Sequence, residues 1–341
     1  MTIKAPVGDP LPVQLLAPWI EDNEKFQHEM SARNDKLRDV MRHRDKLDIR
    51  TAHPLERCTL DAVDASQCEV EFGDQLSILV QGARVSDDGT TYFGAPCRLT
   101  GINGHEFSLV AMPVRVGEEC RLLAASNTPT IADCSYWSLL MDVNNAIARA
   151  DHSHNAIIKS AIKALIDDRL FISVIENPHI FPMTKTSQSD TLCAGVSDRQ
   201  SYTMILRGGE YVAPRLLPGA TGASFKIERR GFTDSEQKLL EEFYTQRLGA
   251  FYYKPYDWSR AYRIEGHIDQ LKNDMFLMSL LAAIKFHTVD RTLIEPWPQF
   301  MADYTVRRVT GIARLYGKDN WHRHPDANYV EARTNINRRH A

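Results

Sequence analysis

The chain has 341 residues, of which 43% are hydrophobic and 25% charged, and a formal net charge of -3. That is the profile of a globular protein with a core large enough for one big domain or two ordinary ones. No apolar run approaches the ~18 residues of a membrane span, the first residues lack a charged-then-apolar secretion pattern, and the six cysteines are scattered without metal or disulfide spacing. These features exclude a membrane-spanning protein, a disulfide-stapled secreted domain and a structural zinc module, and they predict a cytoplasmic protein.

Residues 1–18 are punctuated by proline and read as an extended arm, with Leu11, Val13, Leu15 and Leu16 as apolar anchors. From Glu21 to Asp48 the chain is charged and free of Gly and Pro, with Phe26, Met30, Leu37, Met41 and Leu47 near helical spacing. A long helix follows from that pattern, packed on its own domain or against a second copy. Thr59 to Gln67 alternates apolar and polar residues and reads as a strand, with Leu60, Ala62 and Asp64 on one side. Short β-rich runs then follow at Gln75–Ser86, Gly89–Phe93, Arg98–Leu99, Glu106–Val116 and Arg121–Ala124, separated by Asp-Gly and Asn-Gly turns typical of hairpins. The stretch from Asp133 to about Arg169 reads as one kinked helix or two. Leu170 to Glu176 reads as a buried strand ending in an acid, and His179 to Thr186 as a further extended segment carrying Lys185.

Several acids therefore fall at the ends or within the apolar faces of separate elements. Asp64 closes its strand before the small residues Ala65 and Ser66, a place where aspartate also serves simply to start a turn. Asp142 interrupts an apolar helical face, where an unpaired carboxylate costs free energy unless it faces solvent. His152 and His154 are two apart on a helix and so point to different faces, which argues against a metal pair. The aromatic cluster Phe251 to Trp258 beside Lys254 and Arg260 suits either base stacking or a core. From Tyr304 onward Lys and Arg outnumber Asp and Glu, which fits attraction to a phosphate backbone or a solvated tail. Gly-rich nucleotide loops and activated Ser or Cys arrangements are absent from the sequence.

The order strand-acid, hairpins, helix-acid, strand-acid resembles the NurA nucleases, partners of HerA-type hexameric DNA translocases. The resemblance rests on Val63-Asp64-Ala65-Ser66, LFISVIENP with Glu176, MTKTSQSDTL with Lys185, the stretch through Gly209-Glu210-Tyr211, Ala261 to Glu265, and IEPWPQFMAD. In the last of these, Pro296, Pro298, Ala302 and Asp303 keep the family's spacing and Glu295 stands where a Tyr is expected.

The resemblance implies an α/β fold with a ribonuclease-H-like mixed sheet flanked by helices. It divides the chain into an arm and long helix (1–50), a nuclease domain (51–317) and a basic tail (318–341). It implies a deoxyribonuclease with a two-metal Mn²⁺ or Mg²⁺ site. Asp64, Asp142, Glu176 and Asp303 would be the ligands, and Lys185 would stabilise developing charge. Arg307, Arg308 and Arg314 would contact DNA. A homodimer working on a HerA-like ATPase, in DNA repair or antiviral defence, completes the expectation. Asp142 for Glu and Glu176 for Asp change two ligand arm lengths, so the alternative is a non-catalytic adaptor that binds DNA or the translocase.

Overall fold

The fold is described from a computed structural model. It covers residues 44–53, 55–72, 75–94, 97–102, 107–150, 169–184, 197–217, 231–291 and 295–322, with a few isolated residues besides. The predicted arm and most of the predicted long helix lie outside these residues. Arg44–Lys46 form a single 3₁₀ turn, followed by a short strand β1 (Ile49–Thr51).

The central hairpin is β2 (Asp61–Phe72) and β3 (Gln75–Val85), with β4 (Thr91–Phe93) and β5 (Cys97–Ile102) pairing antiparallel to β3. Beyond them come β6 (Thr130–Ala132), β7 (Ile180–Thr184), β8 (Glu210–Val212), β9 (Arg215–Leu216), β10 (Leu248–Lys254) and β11 (Tyr262–His267). All belong to one sheet, ordered β1-β8-β10-β11-β7-β6-β2-β3-β4, with β5 on β3 and β9 on β10. The pairs β2–β6 and β6–β7 are parallel and the others antiparallel. The portion β4-β3-β2-β6-β7, a hairpin extended by two parallel strands on the far side of β2, is the ribonuclease-H-like arrangement.

Helices cover both faces, as the buried parallel strands require. On one face Val63, Ile78 and Val80 pack against α1 (Phe107–Ala124), α2 (Tyr136–Ala150) and α3 (Leu170–Glu176). On the other face Ala62, Val85, Ile131, Phe181 and Ile264 pack beneath α7 (Asp274–His287) and α8 (Trp297–His322). Shorter helices are α4 (Asp198–Ile205), α5 (Asp234–Glu242), which runs into a π-helical turn at Phe243–Arg247, and α6 (Ile268–Leu271). The start of α5 is fixed by a reciprocal capping box between Thr233 and Glu236.

Three sequence readings are corrected here. Glu106–Val116 and Arg121–Ala124, read as strands, belong mostly to the single helix α1, which even contains Pro113. Its buried residues Val116, Cys120 and Leu123 fall at helical spacing, and packing on the sheet outweighs the hydrogen bond that proline removes. Leu170–Glu176, read as a strand, is helix α3. Phe171, Ile172, Val174 and Ile175 all bury, a spacing that a short apolar run does not distinguish from a strand. Asp64 does not end its strand either, because β2 continues to Phe72.

β1 pairs with β8, so the sheet begins just before residue 51, and α8 runs past residue 317 to His322. Among the described residues no helix is long and apolar enough to cross a membrane.

Candidate metal centre

Asp64 lies where both helical layers meet β2. The parallel register pairs Val63 with Ala132, so Asp64 and Asp133 stand one step further along neighbouring strands. From the first face α1 brings Glu119, which is almost fully buried. Its close approach depends on small residues beneath it: Ala65 pairs with Gly82, and a Cβ at Gly82 would meet Glu118 Cγ and Leu122 Cδ1 at 2.7 Å. From the second face α8 brings Asp303, next to the buried Ala302 that anchors the helix on β2.

The charges of the other three acids all act on Asp64. Burial first, then repulsion from Glu119, Asp133 and Asp303, pushes the Asp64 carboxyl up to about 8, although the Ala65 N–H donates to its Oδ1 at 2.8 Å. Burial likewise pushes Glu119 up to about 7; Arg115 opposes the shift, while Asp142 and Asp133 add to it. The Cys134 thiol donates to the Glu119 carboxylate.

Each acid is also held by a protein partner. Arg307 Nε is 2.6 Å from Asp303 Oδ1, and Gln299 Nε2 donates to Asp133 Oδ1 at 3.2 Å. Arg115 stands 3.7 Å from Glu119 and 3.5 Å from Asp142. Among the described residues no three His, Cys, Asp or Glu side chains are grouped closely enough to hold a metal ion. The donor set nevertheless fits a hard divalent cation, because it consists of carboxylate oxygens whose mutual repulsion a dication relieves. The turn carrying Asp133 is braced from behind: Glu265 of β11 accepts from the Tyr136 N–H at 2.9 Å and pairs with Arg263 at 3.0 Å.

Of the residues expected from the sequence, Asp64 and Asp303 come together. Asp142 lies on α2 and reaches the group through Arg115. Glu176 sits at the end of α3 with its side chain half exposed, 3.9 Å from Arg169, and is not among the charges acting on Asp64. Lys185 falls outside the described residues. Arg307 and Arg308 are exposed on α8, and Arg314 lies on the same helix. The aromatic cluster resolves into buried Phe251, Tyr252 and Tyr253 and a stacked pair, Tyr256 and the partly exposed Trp258.

Glu119 and Asp133 do not stand out in the sequence. The signal for Glu119 is a Glu-Glu pair within the apolar pattern of α1. For Asp133 it is an acid directly after Thr130-Ile131-Ala132, a strand too short to attract attention.

No protein-family profile matches the sequence, and no curated protein matches it. Solved structures do. The NurA nuclease from Sulfolobus solfataricus is similar over 89% of this chain and 97% of its own, with a TM-score of 0.59 and 11% identity. A NurA structure with manganese matches 86% of this chain and 98% of its own (TM-score 0.51, 10% identity). A NurA bound to dAMP and manganese matches 87% and 94% (TM-score 0.50, 11% identity). At this identity the likeness is one of fold, and this chain has the fold of the NurA nuclease structures over most of its length.

Proposed function

We propose that the chain is a divalent-metal-dependent deoxyribonuclease that hydrolyses phosphodiester bonds. The observation that carries the reading is that Glu119, Asp133 and Asp303, from separate elements, each act by charge repulsion on the buried carboxylate of Asp64. A NurA structure that holds dAMP and manganese supports it by fold. Asp64 and Asp133 would hold the ion, Mn²⁺ or Mg²⁺, with Glu119 and Asp303 completing the shell. Bound there, a divalent cation supplies Lewis acidity toward a phosphoryl oxygen and a more acidic water.

The protein's own groups set the conditions. Burial of Glu119 excludes bulk water from one side, Arg115 links Glu119 to Asp142, and Arg307 offers a cation beside Asp303 on an exposed helix face. Asp142 then acts through Arg115 rather than as a ligand, and Glu176 is left out of the ligand set. Lys185, two residues beyond Met183 of β7, is proposed to stabilise charge on the phosphorane, and Arg307, Arg308 and Arg314 to meet the DNA backbone.

By the same proposal the protein is a homodimer that uses its N-terminal arm and long helix (1–50) to engage a HerA-like hexameric ATPase, in DNA repair or antiviral defence. The test is cleavage of linear single-stranded and duplex DNA with Mn²⁺, Mg²⁺ or chelator, with and without such an ATPase. Metal-dependent cleavage that disappears in Asp64→Asn is expected. The paired-off state of the acids favours a second reading, a non-catalytic adaptor, which predicts DNA or ATPase binding without cleavage by the wild type.

A further inference from the structure

We infer that Gln299 is a positioning residue for Asp133, orienting that carboxylate toward the cation site without neutralising it; this rests on the metal-site reading above. Gln299 lies in the first turns of α8 and is only 1% exposed. Its single amide nitrogen donates to Asp133 Oδ1 at 3.2 Å and to the Met183 carbonyl at 3.2 Å. The register explains why one amide spans both: β6 and β7 pair Ala132 with Pro182, so Asp133 and Met183 are the next residues on the two strands. Asp133 is also the first residue past β6, where the strand ladder no longer fixes it.

The two acceptors settle which end of the amide is nitrogen, since a flipped amide would set its oxygen against two oxygens. One carboxylate oxygen of Asp133 is therefore engaged by a neutral donor. A Lys or Arg in this place would satisfy the same oxygen and also compete with a dication for the negative charge. A glutamine orients without competing, as groups behind metal ligands commonly do. Gln299 and Asp303 are four residues apart and so share one face of α8. The helix thus delivers one candidate ligand directly and steadies another from behind.

The amide oxygen of Gln299 is buried and accepts no hydrogen bond among the described residues. A buried acceptor without a donor is costly, and water held on a cation beside Asp133 is a donor of the right kind.

The test is Mn²⁺ binding to the full-length, DNA-free protein by calorimetry, comparing wild type with Gln299→Met, which keeps the size and removes both hydrogen-bonding ends. The affinity for Mn²⁺ should fall at least about tenfold, while melting in chelator changes little. Unchanged Mn²⁺ affinity, with or without a lower melting temperature, would make Gln299 a clamp between α8 and β7 only and overturn the inference. If Gln299→Met does not fold, the side-chain amide resonance of Gln299 in isotope-labelled wild type is followed during Mg²⁺ titration. Movement with occupancy supports the role, and a resonance that stays put as the site fills overturns it. A wild type that binds neither ion overturns the metal-site reading itself, which separates that failure from the failure of Gln299.

Discussion

Replacing Asp64 by Asn removes the charge that the fold tolerates least, while the amide oxygen can still accept from the Ala65 N–H. An unfolded aspartate titrates near 4, and in the fold burial and the neighbouring acids raise Asp64 to about 8. Because the folded pKa is the higher one, the folded state prefers the protonated form. Asp64 therefore costs nothing below about pH 4, costs about 1.4 kcal/mol more for each pH unit above that, and levels off above the folded value. At pH 7 this sums to roughly 4 kcal/mol, part of which is relieved when Glu119 takes up a proton instead, so a gain of roughly 2–4 kcal/mol is expected for Asp64→Asn. Denaturant unfolding in chelator at pH 7.5 and pH 4.5 reads it: the variant should be the more stable protein at the higher pH and near parity at the lower. Mn²⁺ should close most or all of that gap, since an ion at 100 times its dissociation constant stabilises the wild type by about 2.7 kcal/mol and the variant far less. Equal or lower stability of Asp64→Asn at pH 7.5, or equal stabilisation of both proteins by Mn²⁺, would refute the reasoning.

Glu119→Gln should also be more stable in chelator near pH 8 than the wild type and should abolish Mn²⁺-dependent cleavage, whereas Glu176→Ala should change cleavage and stability little, within about 0.5 kcal/mol; both are read by the same unfolding and cleavage assays. Gly82→Ala should push α1 off the hairpin, cost about 1–3 kcal/mol and weaken Mn²⁺ binding through the displaced Glu119, and unchanged binding would show that α1 has room to spare. Neutralising Arg307 and Arg308 together should lower the salt dependence of DNA binding by about one unit of slope for each phosphate that no longer meets a cation, measured by anisotropy across a salt series.

The hairpin β2–β3 and helix α2 were legible in the sequence because long alternating or amphipathic runs carry strong local signals, whereas only the resemblance of IEPWPQFMAD to a family motif singles out Asp303. Asp64 was legible as an acid on a predicted strand, although the pattern puts it at the strand's end and β2 in fact runs on to Phe72. Glu119 was hidden by its surroundings. The run FSLVAMPVRV (107–116) is rich in Leu and Val and contains a proline, so local preference argues for short strands, whereas in the fold it is helical, with Ala111, Val114 and Val116 packed in the core beside the sheet. Glu176 attracted attention in its place because LFISVIE is too short for its period to be read. Asp133 follows a strand of three residues that exists only because β2 and β7 flank it. Gln299 has no local signature at all, since its role depends on the end of β6 and on Met183, more than a hundred residues away in sequence.

The central claim is that Asp64, Glu119, Asp133 and Asp303 together form the metal site. Anomalous diffraction at the manganese edge, from crystals of the full-length protein soaked in Mn²⁺, tests it most directly. The account predicts a peak in contact with the carboxylates of Asp64 and Asp133 that disappears in Asp64→Asn. A peak at Glu176, or none in wild-type crystals at saturating Mn²⁺, would contradict it.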